Sequence, residues 1–182
     1  LLSLWVALRR GVDVVHAANP PDTLFVIGAI FRIFGKRFIF DHHDLAPEVY
    51  LSRFANARHD LIHAGLRLLE RCSYAVADVV IARAGATTVA EIAVCGLPSL
   101  LIPYPYATGG HQEANARALQ RAGAATMLLD DEVDGGVLTD RIAWLLADDD
   151  RLRSMGDRAR AWARPDAASS LARTVVEAGG GS

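Results

Sequence analysis

The sequence predicts an α/β protein built on a parallel sheet of about five strands with flanking helices. Short apolar runs, each bounded by Gly, Pro or Asp, recur along the chain, and longer stretches with helical periodicity separate them. This alternation is typical of right-handed βαβ units, which build parallel sheets. A hydrophobic content of 52% in 182 residues also suits a sheet buried on both faces. The predicted fold class is therefore Rossmann-like.

Each predicted element follows from its local pattern. Strands are expected at β-branched and apolar runs near residues 12–17, 37–41, 77–82, 98–102 and 124–129. Helices are expected near residues 22–34, 57–74, 86–95, 111–122, 137–147, 150–163 and 167–177. In this arrangement the earlier helices crowd one face of the sheet. The last three would then have to cover the other face, or apolar surface would stay exposed.

Charge and composition exclude several classes of protein. The net charge of −2 and a pI near 6.3 argue against general nucleic-acid binding. Cys72 and Cys95 form no CxxC motif, which is typical of reduced thiols in a cytoplasmic protein. The apolar run Leu1–Leu8 is too short to span a bilayer, and its basic residues follow it, unlike a signal peptide. A chain that begins with Leu1 rather than Met suggests a missing N-terminus.

The polar runs have simple interpretations. The acidic runs 130–132 and 148–150 are expected in solvated loops and helix caps, and the tail 179–182 is expected to be disordered.

The loop after the third predicted strand carries the strongest chemical signal. Gly85, Ala86, Thr87 and Thr88 are small residues that let a diphosphate approach the first N–H groups of the following helix. Glu91 lies about one turn inside that helix, where its carboxylate can accept hydrogen bonds from two ribose hydroxyls. The alternative is that a threonine only caps the helix and Glu91 only favours its dipole.

A second loop follows the fourth predicted strand, at the edge where open α/β sheets bind ligands. It runs from Tyr104 to Gln112, and the amide of Gln112 can both donate to and accept from sugar hydroxyls. The alternative is an ordinary helix start with Gln112 and Asn115 facing solvent.

Three motifs in this region, taken in order, resemble the donor domain of family 28 glycosyltransferases. They are residues 83–91 (RAGATTVAE), 96–99 (GLPS) and 111–116 (HQEANA), and the resemblance runs from about residue 77 to the C-terminus. The members in question transfer N-acetylglucosamine from UDP-GlcNAc to lipid-linked MurNAc-pentapeptide in peptidoglycan synthesis. The resemblance implies that Ala86, Thr87 and Thr88 hold the diphosphate-uridine region, Glu91 the ribose, and His111, Gln112 and Asn115 the sugar side. It implies neither a cofactor nor a metal.

The first 76 residues resemble a different family. Residues 13–17, 19–24, 38–48 and 69–71 are similar to the acceptor-side domain of family 4 glycosyltransferases. Both families have the GT-B fold, so the chain is expected to be a GT-B half or hybrid. Its segments are 1–76 (family-4-like), 77–178 (family-28-like) and the tail, with the first two in one compact α/β domain. A glycine-rich loop that family 28 enzymes carry on the acceptor domain is absent.

Histidines supply the remaining candidates. Asp41-His42-His43-Asp44 ends a predicted strand at the ligand-bearing edge, and the resemblance to family 4 makes His43 a candidate catalytic group. Alternatively, these imidazoles only satisfy backbone carbonyls. His59 and His63 have zinc-like spacing, but Asp60 replaces the glutamate that a zinc protease needs, so a solvent-facing helix is favoured and no metal is predicted.

The sequence therefore predicts a glycosyltransferase fragment that binds UDP or UDP-GlcNAc. Two alternatives stay open: a non-catalytic nucleotide-sugar-binding module or inactive hybrid, and a family 4 transferase with another donor. The second alternative is weakened because Ser99, not an acid, follows Glu91 by eight residues. The apolar stretch 25–34 is favoured as a core helix, which leaves open a peripheral contact with the inner face of a bacterial cell membrane.

Overall fold

The protein contains one five-stranded parallel sheet, seen in a computed structural model that describes residues 11–43, 46–54 and 60–179. The strands lie side by side in chain order, and each neighbouring pair is parallel. They are β1 (Val14–Ala18), β2 (Arg37–His42), β3 (Val79–Ala82), β4 (Ser99–Leu101) and β5 (Ala125–Met127). The predicted parallel sheet of about five strands is confirmed.

Eight α-helices connect and flank these strands within the described part of the chain. They are α1 (Phe25–Ile33), α2 (Ala46–Arg53), α3 (Leu61–Val76), α4 (Ala86–Cys95), α5 (His111–Arg121), α6 (Gly135–Leu146), α7 (Asp149–Trp162) and α8 (Ala167–Gly179). Helix α2 was not predicted. Helix α3 starts at Leu61 because the carboxylate of Asp60 accepts a 2.7 Å hydrogen bond from the backbone N–H of His63.

Several sequence predictions fall outside the described residues: the run Leu1–Leu8, Asp44, His59 and residues 180–182 of the tail. Gly179, the first residue of the predicted tail, ends α8 instead. Among the described residues, no helix is both long and apolar enough to cross a bilayer.

The two faces of the sheet have separate cores. Because the strands follow chain order, right-handed crossovers place α1, α3, α4 and α5 on one face. The core on that face is built from Phe38, Phe40, Val80, Leu101, Tyr74, Val89, Ile92 and Leu119. The core on the opposite face joins Ile39, Val79, Ile81 and Leu100 to Leu145, Leu152 and Met155 of α6 and α7.

The prediction that the last three helices cover the second face of the sheet is thus confirmed for α6 and α7 but not for α8. No residue of α8 is buried, and its apolar residues Leu171, Val175 and Val176 are exposed. Apolar surface also stays exposed at Val14 of β1.

Helix α1 is partly core, as favoured from its sequence. Phe31 is buried and the ring of Phe38 lies directly against Gly28, where an added Cβ would meet it at 2.5 Å. Ile33 and Phe34, at the end of the helix, are 81% and 69% exposed.

The two predicted segments meet in the middle of the sheet, where β2 pairs with β3. Asp78, just before β3, accepts a 2.8 Å hydrogen bond from the backbone N–H of Phe38 in β2. Its other carboxylate oxygen lies 3.8 Å from Arg32 and 3.5 Å from Arg37, and Arg37 also pairs with Asp149 at the start of α7. Strands from residues 11–76 and 77–179 therefore share one sheet and one set of polar contacts.

Candidate functional site at the carboxyl edge of the sheet

The carboxyl ends of the strands bring the predicted site residues to one edge of the molecule. Parallel strands all end on the same side, so the loops after β2, β3 and β4 lie next to one another there. These loops carry His43, Gly85 and Tyr104.

Helix α4 begins with an N-terminus that has no side-chain cap. Its N-cap residue is Gly85, at φ −62° and ψ 150°, which has no side chain to accept a hydrogen bond from the first turn. Neither threonine is the N-cap, so the alternative that Thr87 or Thr88 caps the helix is wrong. Ala86 and Thr87 are exposed, whereas Thr88 is buried. The first N–H groups of α4, at the positive end of its dipole, are thus available to an anion.

A groove runs from this N-terminus between α3 and α4. Its cavity of about 280 Å³ is lined by Arg67, Glu70, Arg71 and Tyr74 of α3 and by Thr87, Ala90, Glu91, Val94 and Cys95 of α4. Thr87 and Glu91 are one helical turn apart and so face the same groove. Two arginines on the opposite wall add positive charge. The structure therefore brings Thr87 and Glu91 together, beside the open start of α4.

A buried polar network forms the base of the groove on the α3 side. The Tyr74 hydroxyl lies 2.7 Å from Nδ1 of His42, and Nε2 of His42 lies 3.4 Å from a carboxylate oxygen of Glu70. The His42 and Glu70 side chains are only 2% and 6% exposed. A buried carboxylate normally needs such a partner. Glu70 and Tyr74 also line the groove, so this network holds the α3 wall in position.

Sequence reasoning missed this network as a feature of the site. The signal for it was a carboxylate and a tyrosine one turn apart, Glu70 and Tyr74, on the face of α3 that packs against the sheet. The third member, His42, is 28 residues before Glu70 in the chain, and no local pattern connects them.

Cys95 marks the far end of the groove. Burial raises the pKa of its thiol, and the neighbouring Glu91 carboxylate raises it further, while Arg71 and Arg160 act in the opposite direction. The thiol of Cys95 is therefore a weak nucleophile near neutral pH.

The residues predicted to face a sugar lie on the other side of α4, at the start of α5. The Asn115 amide donates a 3.0 Å hydrogen bond to the carbonyl of Ala84, which ties α5 to the loop before α4. The Gln112 side-chain carbonyl accepts a 2.9 Å bond from the backbone N–H of Tyr104, and Nδ1 of His111 lies 2.6 Å from the carbonyl of Thr108. Gln112 and Asn115 therefore hold loops in place rather than only facing solvent.

His43 does not line the groove between α3 and α4. Its backbone N–H donates a 2.8 Å hydrogen bond to the Asn19 side chain, and its Nε2 lies 3.1 Å from Asp41. The other Asp41 oxygen lies 3.0 Å from Nε2 of His16. Alternate strand residues face opposite sides, so Asp41 points away from the face that carries His42. The ring of His43 thus pairs with a carboxylate, not a backbone carbonyl, and lies on the face of the sheet opposite α3 and α4.

Within residues 11–43, 46–54 and 60–179, no three His, Cys, Asp or Glu side chains are grouped to hold a metal ion. The zinc-like pair is described only in part: the backbone of His63 belongs to the first turn of α3, where its N–H binds Asp60.

Comparison with known proteins gives a consistent result. Residues 71–171 match the model of the protein family described as "Glycosyltransferase family 28 C-terminal domain". UDP-N-acetylglucosamine--N-acetylmuramyl-(pentapeptide) pyrophosphoryl-undecaprenol N-acetylglucosamine transferase of Halothermothrix orenii is 47% identical over 110 residues, which is 60% of this chain and 30% of that protein. The transferase of the same name from Halorhodospira halophila is 50% identical over 105 residues, 58% of this chain and 29% of that protein.

Two further comparisons extend over more of the chain. The transferase of that name from Moorella thermoacetica is 39% identical over 136 residues, covering 71% of this chain and 37% of that protein. The crystal structure of Acinetobacter baumannii MurG superimposes with a TM-score of 0.58 and 23% identity, over 91% of this chain and 49% of that one. At this identity the match shows the fold alone, a GT-B half like MurG. The chain spans about 30% of the length of the Halothermothrix orenii and Halorhodospira halophila transferases that it matches.

Proposed function

The chain belongs to the glycosyltransferase family 28 C-terminal domains, and from this membership we propose that it binds UDP-N-acetylglucosamine as the donor half of a transferase. The relatives quoted above carry names that state this activity. The observation that carries the proposal is the α3–α4 groove, in which Thr87 and Glu91 lie beside the uncapped N-terminus of α4.

The nucleotide occupies the groove in an orientation set by charge. The diphosphate binds at Gly85, Ala86, Thr87 and Thr88, where the N–H groups and the dipole of α4 favour anions. The ribose lies one turn further along, where the carboxylate of Glu91 accepts hydrogen bonds from two hydroxyls. When UDP leaves during transfer, the same N–H groups stabilise the charge on its phosphate.

Across the groove, the guanidinium groups of Arg67 and Arg71 face the nucleotide from α3. They are suited to stacking on a base. Glu70 and Tyr74, held by His42, position this wall rather than contact the phosphates.

The sugar extends toward α5. His111, Gln112 and Asn115 form this end of the proposed site, and Asn115 supports it by fixing the loop that precedes Gly85. Ligand binding at Gln112 requires its side chain either to use its amide nitrogen or to release Tyr104.

We extend the proposal to the longer protein of which such a domain is part. There the GlcNAc is transferred to a lipid-linked MurNAc-pentapeptide at the inner face of the bacterial cell membrane. Residues 1–76 are then a family-4-like acceptor-side segment joined to a family-28-like segment at 77–178. His43 is the candidate catalytic group, with its ring oriented by Asp41 for proton transfer, and this role requires the transferred sugar to reach the sheet face opposite the groove. Exposed Ile33 and Phe34 are suited to peripheral membrane contact.

The donor proposal predicts a specific effect of replacing Glu91. Glu91→Ala should weaken UDP binding by about 1.5–3 kcal/mol, or roughly ten- to a hundredfold in affinity, because a charge-assisted pair of hydrogen bonds is lost. Calorimetric titration of the 182-residue chain with UDP measures this loss. UDP lacking the 2′-hydroxyl should lose part of the same energy, and the two losses should not add.

A matched control is Glu113→Ala. Glu113 lies on α5, outside the groove, and pairs with Arg117 at 2.6 Å. Its replacement should leave UDP affinity within about twofold. Equal UDP affinities for folded wild type and Glu91→Ala would refute the ribose role of Glu91. The non-catalytic alternative is decided separately, by whether GlcNAc reaches a lipid-linked acceptor in the full-length protein.

A further inference from the structure

A second cavity lies at the carboxyl edge of the sheet, on the far side of the loop that follows β4. Its volume is about 370 Å³, at the lower end of the range for small-ligand sites. Tyr104 and Tyr106 form one wall, Asp130 and Asp131 after β5 form the other, and Glu113 of α5 also lines the cavity. None of these side chains lines the nucleotide groove.

The two tyrosine rings form an exposed aromatic wall. Their centroids are 5.6 Å apart at an interplanar angle of 70°. Tyr106 is 82% exposed and Tyr104 47% exposed, although both are large rings that usually gain by burial. A ligand with an apolar face would cover Tyr106 without any rearrangement of the core.

Both walls are held in place without a ligand. The Gln112 side chain binds the backbone N–H of Tyr104, and the Ala107 N–H donates to the Tyr104 carbonyl at 3.2 Å. On the other wall, Arg83 pairs with Asp130 at 2.5 Å and donates to the Ile102 carbonyl at 3.2 Å, and the Glu132 carboxylate accepts a 2.9 Å bond from the Leu129 N–H. A cavity fixed in this way is preorganised for a small ligand.

The charge of the lining restricts the ligand. Three carboxylates line the cavity, and two of them, Asp130 and Glu113, are paired with Arg83 and Arg117. An anion such as a diphosphate is therefore disfavoured. Carboxylates accept hydrogen bonds from hydroxyl groups, and an aromatic face suits the C–H face of a flat ring. A neutral pyranose has both features.

We propose that this cavity is a saccharide subsite, separate from the nucleotide groove, that takes a neutral pyranose ring. The ring lies against Tyr106 and its hydroxyls donate to Asp131 and Glu113. The subsite shares no lining residue with the groove that holds Thr87 and Glu91, and Gln112, which holds Tyr104 in place, links it to the sugar end of the proposed donor site.

Saturation-transfer NMR on the 182-residue chain tests this proposal, with N-acetylglucosamine at roughly 10 mM as the probe, a concentration suited to millimolar affinity. We expect transfer to the ring protons of the sugar, and a two- to tenfold weaker affinity in Tyr106→Ala, the range expected for loss of an aromatic contact. Asp131→Asn should weaken binding and Tyr106→Phe should retain it. Glu91→Ala and saturating UDP should leave the signal unchanged.

Other results would overturn the subsite. These are no transfer at this concentration, an affinity that is unchanged in Tyr106→Ala, or transfer that UDP abolishes, which would place the sugar in the nucleotide groove. Methylammonium is a separate probe, because aromatic rings with carboxylates also attract cations. If methylammonium displaces N-acetylglucosamine when both are at the same concentration, the cavity is a cation site and the proposal is wrong.

Discussion

Asp78 is predicted to hold the two segments of the chain together, and its replacement should cost about 2–4 kcal/mol of unfolding free energy. The carboxylate is only 11% exposed and accepts a 2.8 Å hydrogen bond from the Phe38 N–H in β2. A hydrogen bond to a charged group contributes about 1.5–3 kcal/mol, and Asp78→Ala also leaves a buried backbone donor without an acceptor. The ion pairs with Arg32 and Arg37 add little, because both arginines are about one-third or more exposed.

Two further variants separate the hydrogen bond from the charge. Asp78→Asn keeps an acceptor oxygen, so it should cost about 1 kcal/mol or less. Asp157→Ala is the control, since Asp157 is 78% exposed and pairs with Arg160 at 3.4 Å; its loss should stay within about 0.5 kcal/mol.

Urea unfolding followed by circular dichroism measures these differences, and a single transition with an unchanged slope is expected if both segments unfold together. The reasoning is refuted if Asp78→Ala costs no more than the Asp157→Ala control. It is also refuted if Asp78→Asn is as harmful as Asp78→Ala, because the charge would then matter more than the acceptor.

Three further predictions concern the core, the groove and a helix cap. Val80 is fully buried in β3, so Val80→Asp buries an unpaired charge. This costs several kcal/mol of a total stability of roughly 5–15 kcal/mol, and a thermal melt should therefore show no folded state. An unchanged melting temperature would mean that β3 is not central. Cys95 lines the groove, so UDP should slow the alkylation of its thiol, which mass spectrometry measures in the Cys72→Ser variant. Because burial raises the pKa of the Cys95 thiol, the alkylation rate should rise with pH. Equal alkylation rates with and without UDP would contradict the binding mode. The backbone N–H of Arg151 donates to the carboxylate of Asp148 and lowers the pKa of that carboxylate. This helix cap therefore stabilises the protein fully at pH values above the ordinary aspartate pKa, and the stabilisation is lost as the pH falls through the pKa of Asp148 in the folded state. The melting temperatures of wild type and Asp148→Ala should therefore converge between about pH 5 and pH 2, and a constant difference would contradict this role.

Most elements could be predicted from the sequence because their hydrophobic patterns are local. Each strand lies within about three residues of its predicted position, and Gly96 ends α4 as expected, at φ 65°. Helix α2 was missed because residues 46–53 carry a proline near the start and no regular apolar face.

The positions of the candidate site residues in the fold could be predicted in the same way. The small residues at 85–88 and Glu91 follow a strand and open a helix, so their position at the ligand edge can be read from the chain. The contact of His42 with Tyr74 and Glu70 could not be read in this way, because it depends on the packing of α3 against β2. The cavity beside Tyr106 was equally hidden, since its second wall comes from residues after β5.

The strand order explains why the groove exists and why it is composite. With β2, β3 and β4 as consecutive neighbours, the crossovers α3 and α4 must lie side by side on one face, and the groove is the space between them. The α4 wall of the groove, with Thr87 and Glu91, lies within residues 71–171, which match family 28. Arg67 of the α3 wall lies before residue 71 and so outside that match. In the proposed binding mode, the contacts to ribose and diphosphate therefore come from α4, and those that face the base come from α3. A change in α3 should alter the choice of base while affinity for the diphosphate is retained, and a change in the first turn of α4 should do the reverse.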